Sequence, residues 1–180
     1  YDRALINNSS LSNEFDYLEQ FKYIIFSPSN TSSDNAFINN LITDYNFISF
    51  LKENDILIIF KNTHLHTEYE NVRIICYYLS DLQYQYLFLR SDLILISYPS
   101  TFTYRVSAIL FECMSNEKLC LISDIPSLNV YSDYFNYSPF YNSKETLIEK
   151  LSILLKSQQI IQKPYRGLSN LKPYFRKLFF

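Results

Sequence analysis

The sequence predicts an α/β protein built on an open, Rossmann-like parallel sheet with helices on both faces. Short β-rich runs alternate with stretches of helical periodicity along most of the chain, as expected for strands joined by helical crossovers. Two segments, 55–61 and 92–98, contain a continuous apolar run instead of alternating residues, as in strands that a parallel sheet buries on both faces. A chain of 180 residues is long enough to bury one core of this kind.

Six segments have the composition of strands and are bounded by turn-forming or polar residues. Pro28 stops the first strand, and Pro99 follows the fourth. The predicted strands are 22–28, 55–61, 72–78, 92–98, 119–123 and a brief one at 140–141.

Helices are predicted between these strands from start signals and from apolar residues spaced about 3.6 apart. Ser33 or Asp34 can cap the first helix, Ser80 opens the second, and Pro126 starts a short one. The last helix is amphipathic, with an apolar face formed by its leucines. The predicted helices are 34 to about 50, 80–89, about 103 to 116, a short one from 126, and 144–156.

The chain is predicted to hold one domain with two flanking segments. Residues 1–20 are polar and are interpreted as a linker or as the remnant of an upstream domain. Residues 21–158 carry the alternating elements and form the Rossmann-like domain. Residues 159–180 contain prolines with mixed basic and aromatic residues, and are interpreted as a tail or a final helix.

Composition excludes several functional classes. The one glycine, Gly167, leaves no room for a G-x-G-x-x-G fingerprint or a Walker loop, so a standard NAD-dependent dehydrogenase and a P-loop NTPase are excluded. A net charge of −2 provides no basic surplus for phosphate-backbone contacts, so no nucleic-acid partner is expected. No apolar run reaches the ~18 residues of a transmembrane helix.

The cysteines and histidines do not suggest a metal site. Cys76, Cys113 and Cys120 each lie in an apolar stretch and are predicted to be buried free thiols. His64 and His66 are two residues apart, without a carboxylate framework for a metal. We therefore expect neither a metal nor a cofactor.

The segment 92–123 carries the chemistry. A buried strand leads into a loop at Pro99, Ser100 and Thr101, and a helix is predicted to begin near Thr103. In an open α/β sheet ligands bind at the carboxyl ends of the strands, where helix N-termini present free amides to an anion. Ser100, Thr101 and Ser107 are candidate hydroxyl or backbone donors to a phosphate, although each is also an ordinary loop or first-turn residue.

Two charged residues of that helix are candidates for ligand contacts. Arg105 and Glu112 are seven apart, so a helix from residue 103 places them on nearly the same face, with the small Ala108 between them. An anion would explain a cation near a helix N-terminus, and ribose hydroxyls would satisfy a carboxylate in an apolar helix. An internal ion pair of Glu112 with Arg105 or Lys118 is the alternative.

The stretch PSTFTYRVSAILFECMSNEKLCLIS resembles the donor-site segment of retaining GT-B glycosyltransferases of group 1, or family 4-like. In that family a Pro-Ser loop precedes a helix with two glutamates eight residues apart. Glu112 matches the second glutamate, which the resemblance implies binds the nucleotide ribose. Tyr104 takes the place of the first, which contacts the sugar in many members, and Asn116 to Lys118 replaces the usual glycine-rich turn.

The resemblance implies further roles at neighbouring strand ends. Tyr78 and Leu79, after the third strand, would pack against the nucleobase, with Tyr77 beside them; a tyrosine that simply caps the sheet end is the alternative. Arg105 and Lys61 would stabilise the negative charge on the departing nucleoside diphosphate, Lys61 in place of a basic residue that the family has after its first strand. A lysine at a strand end can also be merely solvated.

As a whole, the resemblance implies the C-terminal, donor-binding half of a GT-B fold. It implies transfer of a hexosyl or pentosyl group from a UDP- or GDP-linked sugar, with an acceptor-binding N-terminal domain that this chain lacks. It further implies a place in polysaccharide biosynthesis, in the cytoplasm, with peripheral association of the whole enzyme at the inner face of the membrane.

Three other functions fit the same sequence. A GT-B-fold sugar-nucleotide epimerase would use the same ribose and phosphate contacts. A polyol-phosphate transferase of the teichoic-acid type shares the architecture, and the segment IIFKNTH at 58–64 resembles its Lys-x-His strand end. A non-catalytic α/β binding module is the third, favoured by Tyr104 in place of an acid.

Overall fold

The computed structural model describes residues 1–28, 35–62, 65–102, 106–157 and 163–166, except for the side chains of Asn35 and Ser157. Six parallel strands form a sheet in the order β3-β2-β1-β4-β5-β6. This is the strand order of the doubly wound Rossmann fold, so the predicted fold class is confirmed. The chain divides into two compact units, residues 1–97 and 98–180, which are described in turn. The predicted domain bounds stay a prediction.

The first unit contains four strands whose side chains form an apolar core. β1 is the central strand and pairs with both β2 and β4. All residues of β4, and all of β2 but the last, are buried, as their continuous apolar runs predict. The strands are β1 (Tyr23–Ser27), β2 (Ile56–Lys61), β3 (Val72–Ile75) and β4 (Leu93–Ile96).

Two helices replace the single helix predicted between β1 and β2. They are α2 (Asn35–Ile42) and α3 (Tyr45–Glu53). The chain breaks at Asp44, whose backbone is extended and whose carboxylate accepts a hydrogen bond from the Phe47 amide at 2.8 Å. An aspartate in this position is a strong N-cap, so a new helix starts where apolar spacing alone suggests continuity.

The helix between β3 and β4 is close to its prediction. It is α4 (Asp81–Arg90), and Ser80 and Gln83 form a complete capping box at its start. Ser80 Oγ accepts from the Gln83 amide at 3.3 Å, and Gln83 Oε1 accepts from the Ser80 amide at 2.8 Å.

Residues 1–20 form short helical elements that pack on α4. They are a 3-10 turn (Arg3–Asn7), helix α1 (Ser9–Glu14) and a second 3-10 turn (Asp16–Gln20). The ring of Phe15 is buried and stacks on Tyr86, with centroids 5.6 Å apart. Although this segment is polar overall, its side chains Leu11, Phe15 and Leu18 are buried and pack in the core.

The described residues of the second unit form two short strands and three helices. The elements are α5 (Ala108–Ser115), β5 (Cys120–Ser123), α6 (Pro126–Asn129), a 3-10 turn (Ser132–Tyr134), β6 (Phe140–Tyr141) and α7 (Lys144–Ser157). In α7 the predicted apolar face is buried at Leu147, Leu151, Leu154 and Leu155.

The side chain of Tyr137 extends the short β5–β6 ladder. The amides of Ile122 and Asp124 donate to the carbonyls of Pro139 and Tyr141 at 2.9 and 2.8 Å. One step earlier, the Cys120 amide donates to Tyr137 Oη, and that hydroxyl donates to the Cys120 carbonyl, both at 2.9 Å. The Tyr137 hydroxyl therefore takes the place of a β6 residue as the hydrogen-bond partner of the Cys120 backbone.

Part of the predicted tail, residues 163–166, contacts the second unit. Tyr165 is buried, and its hydroxyl donates to the Lys118 carbonyl at 2.6 Å and lies 3.3 Å from Cys120 Sγ. Its backbone forms an isolated antiparallel bridge with Phe135. The rest of the predicted tail lies outside the described residues.

The three cysteines are free, as predicted, but one of them is not buried. Cys113 and Cys120 are fully buried, and burial raises the pKa of the Cys113 thiol well above its ordinary value. Cys76 is exposed, because it follows the last residue of β3, outside the strand that was predicted to continue to residue 78.

Within the described residues, no helix combines the length and apolar character needed to cross a membrane.

Candidate functional site

The carboxyl ends of the three central strands of the first unit carry small polar side chains. Ser27 ends β1, Asn62 follows β2, and Ser97 follows β4, and all three side chains are buried. In this strand order the reversal of direction falls between β1 and β4, and open α/β sheets bind ligands outside the carboxyl ends at that point. The three residues therefore give the ligand edge of this unit a polar lining.

The strand registers place these three side chains on one face of the sheet. Ser27 stands opposite Phe60 of β2, and Phe26 stands opposite Ile94 of β4. Side chains alternate between the faces of a strand, so continuing the registers past the strand ends puts Asn62 and Ser97 on the same face as Ser27. The three side chains therefore lie on one face of the sheet at its carboxyl edge.

Ser27 Oγ is buried and has no hydrogen-bond partner among the described residues. A buried hydroxyl without a partner costs roughly 1–3 kcal/mol. Unpartnered polar atoms of this kind are uncommon in native structures. Its position at the end of the central strand makes Ser27 a candidate ligand contact.

Lys61 and Tyr78, chosen from the sequence for separate reasons, lie together. Lys61 ends β2, and its Nζ lies 5.6 Å from the centroid of the Tyr78 ring in a cation–π contact. The Tyr78 side chain is 82% exposed, which leaves ring surface available for stacking. The neighbouring Tyr77 is 50% exposed, and partial burial, reinforced by Glu14, raises its pKa. A positive charge beside an exposed aromatic surface suits a nucleotide, with phosphate on one and base on the other.

Leu79 does not join that surface. Its side chain is 4% exposed, so it packs into the core at the start of α4 instead of facing a nucleobase. The apolar character that suggested a base contact belongs here to the hydrophobic core.

In the second unit, the loop after β4 forms a turn that exposes two of the predicted site residues. The Phe102 amide donates to the Pro99 carbonyl at 2.9 Å, and Ser100 and Thr101, between them, are exposed. The rings of Tyr98 and Phe102 stack with centroids 4.2 Å apart, which braces the base of the turn. The hydroxyls of Ser100 and Thr101 are therefore accessible to a ligand.

The helix predicted from Thr103 begins five residues later, at Ala108. Ser107 has an extended backbone and is the N-cap, with its Oγ accepting from the Leu110 amide at 3.1 Å. A serine N-cap determines where a helix begins more strongly than the apolar spacing of the residues before it does. Ser107 is buried, and its Oγ also lies 3.1 Å from Tyr98 Oη, so its hydroxyl serves the fold.

This later start removes the geometric argument that paired Arg105 with Glu112. The argument needed one continuous helix from residue 103, whereas Val106 and Ser107 are not helical. Tyr104 and Arg105 themselves lie outside the described residues. Glu112 is half-buried in α5, less deeply than its apolar neighbours suggested. It lies one turn after the exposed Ala108, so both occupy the same side of the helix.

The sequence pattern that marks the strand-end residues is a polar residue at the end of an apolar run. Each of the three apolar runs IIFS, IIFKN and ILIS stops at a small polar residue that the fold buries. A polar residue directly after a buried strand marks the ligand edge of a parallel sheet more specifically than the apolar run itself. Within the described residues no cluster of His, Cys, Asp and Glu has the makeup of a metal site.

Comparison with known proteins identifies the fold. No family model and no curated protein matches this chain. Among solved structures, the chain is similar to the wall teichoic acid polymerase TagF, with a TM-score of 0.50 and 14% sequence identity, over 96% of this chain and 49% of the polymerase chain. A histidine-to-alanine variant of TagF aligns with a TM-score of 0.49 and 14% identity, over 97% of this chain and 49% of that one. The chain thus spans about half the length of the polymerase chain it matches, and the likeness supports a GT-B-like fold.

Proposed function

We propose that this chain binds a nucleoside-diphosphate-linked glycosyl donor, as the donor-binding half of a glycosyltransferase. The observation that carries the proposal is the polar carboxyl edge of β1, β2 and β4 at the point where the strand order reverses. A nucleotide at that edge would meet Ser27, Asn62 and Ser97. The GT-B-like fold and the resemblance of residues 92–123 to a donor-site segment point to the same class of ligand.

Lys61 and Tyr78 have complementary roles in this proposal. The base or ribose stacks on the exposed Tyr78 ring, and the Lys61 ammonium contacts a phosphate oxygen. When the glycosyl bond breaks, the negative charge on the leaving diphosphate increases, and a fixed ammonium stabilises this larger charge more than the smaller charge of the bound donor. The cation–π contact holds Lys61 in place before the ligand arrives.

The remaining site residues keep their proposed roles, with different support. Ser100 and Thr101 are exposed on a turn and can donate to phosphate, and Glu112 can accept from ribose hydroxyls. Arg105 as a diphosphate contact and Tyr104 near the sugar rest on the sequence resemblance. The acceptor-binding domain, the donor identity and peripheral association with the inner membrane face are likewise proposals.

Binding of UDP and GDP to the 180-residue chain tests the proposal, using isothermal titration calorimetry. Lys61→Met should weaken binding at least about tenfold, because a hydrogen bond to a charged group contributes roughly 1.5–3 kcal/mol. Lys52→Met is the matched control, since Lys52 is exposed in α3, at the opposite end of β2. Equal affinity of the two variants, or no nucleotide binding by the unmodified chain, would refute the proposal. The second result would favour a non-catalytic binding module.

A specific observation also supports transfer of a polyol phosphate as a second candidate function. One solved structure that the chain resembles is a wall teichoic acid polymerase, and Lys61 lies in the segment 58–64, where Asn62 and Thr63 separate it from His64 in the sequence. His64 lies outside the described residues. CDP titrated beside UDP and GDP separates the candidates: a marked preference for CDP would favour polyol-phosphate transfer.

A further inference from the structure

The strand β3 forms one end of the sheet and has an open edge. Among the described residues it pairs only with β2. The amides of Ile58 and Asn62 donate to the carbonyls of Asn71 and Ile75 at 2.9 and 3.0 Å, so the odd-numbered residues of this strand face β2. The backbone groups of Ile74 therefore face away from the sheet, where another strand can reach them.

A cavity of about 640 Å³ follows this edge. All four residues of β3 line it, although their side chains alternate between the two faces of the sheet, so the cavity wraps around the strand edge. Its other lining residues are Leu57 of β2, Cys76 and Tyr77 after β3, residues 65–70, and five residues of the segment 14–21. The cavity is therefore a groove along the outer edge of β3, which pairs with no further strand among the described residues.

The walls of this groove carry more negative than positive charge. Glu14, Glu68 and Glu70 line it, and the latter two are exposed and have no salt bridge within the described residues. The guanidinium of Arg73, also in the lining, already lies 4.9 Å from the centroid of the Tyr17 ring. A cationic occupant would meet two carboxylates that form no salt bridge within the described part of the chain.

We propose that the β3 edge groove binds an extended peptide segment rich in lysine or arginine by strand addition. The segment hydrogen-bonds to the backbone of Ile74 and extends the sheet by one strand. Its cationic side chains pair with Glu68 and Glu70, and its apolar side chains pack on the rings of Tyr69 and Tyr77, which line the groove and are 49% and 50% exposed. This site lies along the strand edge and ends at Tyr77, next to Tyr78 of the nucleotide site proposed above.

A second copy of this chain is a weaker occupant. Its own β3 would bring one cation to the groove, Arg73, which already stacks on Tyr17 in its own chain. A partner segment with basic residues at alternate positions would bring more than one cation to Glu68 and Glu70, and therefore suits the groove better than a second copy of this chain.

The test uses a fluorescein-labelled peptide in which lysine alternates with valine, added to the full chain and followed by fluorescence anisotropy. Binding should be lost for a peptide with glutamate in place of lysine, and for one with proline at central positions, which removes the amide donors. Glu68→Gln combined with Glu70→Gln should weaken binding by about three- to tenfold, as expected for two exposed ion pairs. Glu53→Gln, an exposed carboxylate outside the groove, is the control and should change nothing.

Ile74→Pro gives the backbone test. It removes an outward-facing amide and leaves the pairing with β2 intact, so it should abolish binding while circular dichroism stays unchanged. If this variant does not fold, the proline-containing peptide answers the same question with unmodified protein. Equal binding of the lysine and glutamate peptides, insensitivity to both Glu68→Gln with Glu70→Gln and proline in the peptide, or self-association in sedimentation that blocks the peptide would each overturn the proposal.

Discussion

Replacing Tyr137 by phenylalanine should destabilise the second unit through one strand residue. The change removes only the hydroxyl and keeps the ring, which packs edge-on against Phe135 with centroids 5.6 Å apart. In the native structure that hydroxyl accepts from the Cys120 amide and donates to its carbonyl, both at 2.9 Å. Phenylalanine leaves both backbone groups of a buried residue without this partner.

The size of the effect follows from the two lost bonds. Each hydrogen bond contributes about 0.5–1.5 kcal/mol net, so the free energy of unfolding should fall by about 1–3 kcal/mol. A loss of about 2 kcal/mol lowers the ratio of folded to unfolded protein about thirtyfold. For a chain of this length it also lowers the melting temperature by about 4–8 °C.

Urea unfolding of Tyr137→Phe and of the unmodified protein measures this difference, and hydrogen exchange of the Cys120 amide locates it. Tyr134→Phe is the matched control, because Tyr134 is 38% exposed and its hydroxyl has no hydrogen bond within the described part of the chain. The control should stay within about 0.5 kcal/mol. If Tyr137→Phe also stays within that range, or if Cys120 exchange is unchanged, the phenol does not serve as a ladder partner and the reasoning fails.

Two further predictions concern titratable side chains. A water-soluble thiol reagent should modify Cys76 alone in the folded protein, since Cys113 and Cys120 are buried and burial raises the pKa of Cys113; rapid labelling that persists in Cys76→Ser would contradict this. Burial, opposed by Arg73, raises the pKa of Tyr17 from its ordinary 10.0 to about 12. The stability that the neutral phenol contributes is therefore complete below pH 10.0 and is lost as the pH rises through about 12. In a phenolate absorbance titration, Tyr17→Phe should remove one late-titrating tyrosine and leave the early phase unchanged. Loss of one tyrosine from the early phase would instead show that Tyr17 titrates at its ordinary pKa.

Strand positions could be predicted well because their signals are local. Residues 56–60 and 93–96, within two of the predicted strands, are apolar throughout, and the sheet buries all of them. Helix boundaries were harder where a capping residue competes with apolar spacing. Asp44 divides one predicted helix into two, and Ser107 delays the start of another, because each side chain accepts an amide hydrogen bond that a continuous helix would not offer it.

The candidate site was only partly predictable from the sequence. Lys61 and Tyr78 were each chosen singly, and the pairing of β2 with β3 brings them into contact across 17 positions of sequence. Leu79 is buried, and its base contact stays a prediction, because an apolar residue gives the same sequence signal in a core as on a binding surface. Ser27 was missed because a serine after a strand looks like an ordinary turn residue until the strand order is known.

The central position of β1 determines when this fold can form during synthesis. Its residue Ile24 exchanges two hydrogen bonds with Asp92, both at 2.7 Å, across 68 positions of sequence. During synthesis β1 therefore leaves the ribosome long before β4, the second strand that pairs with it, has been made. Until β4 emerges, one side of β1 is an exposed template for intermolecular pairing, and such long-range strand pairing is slow to form.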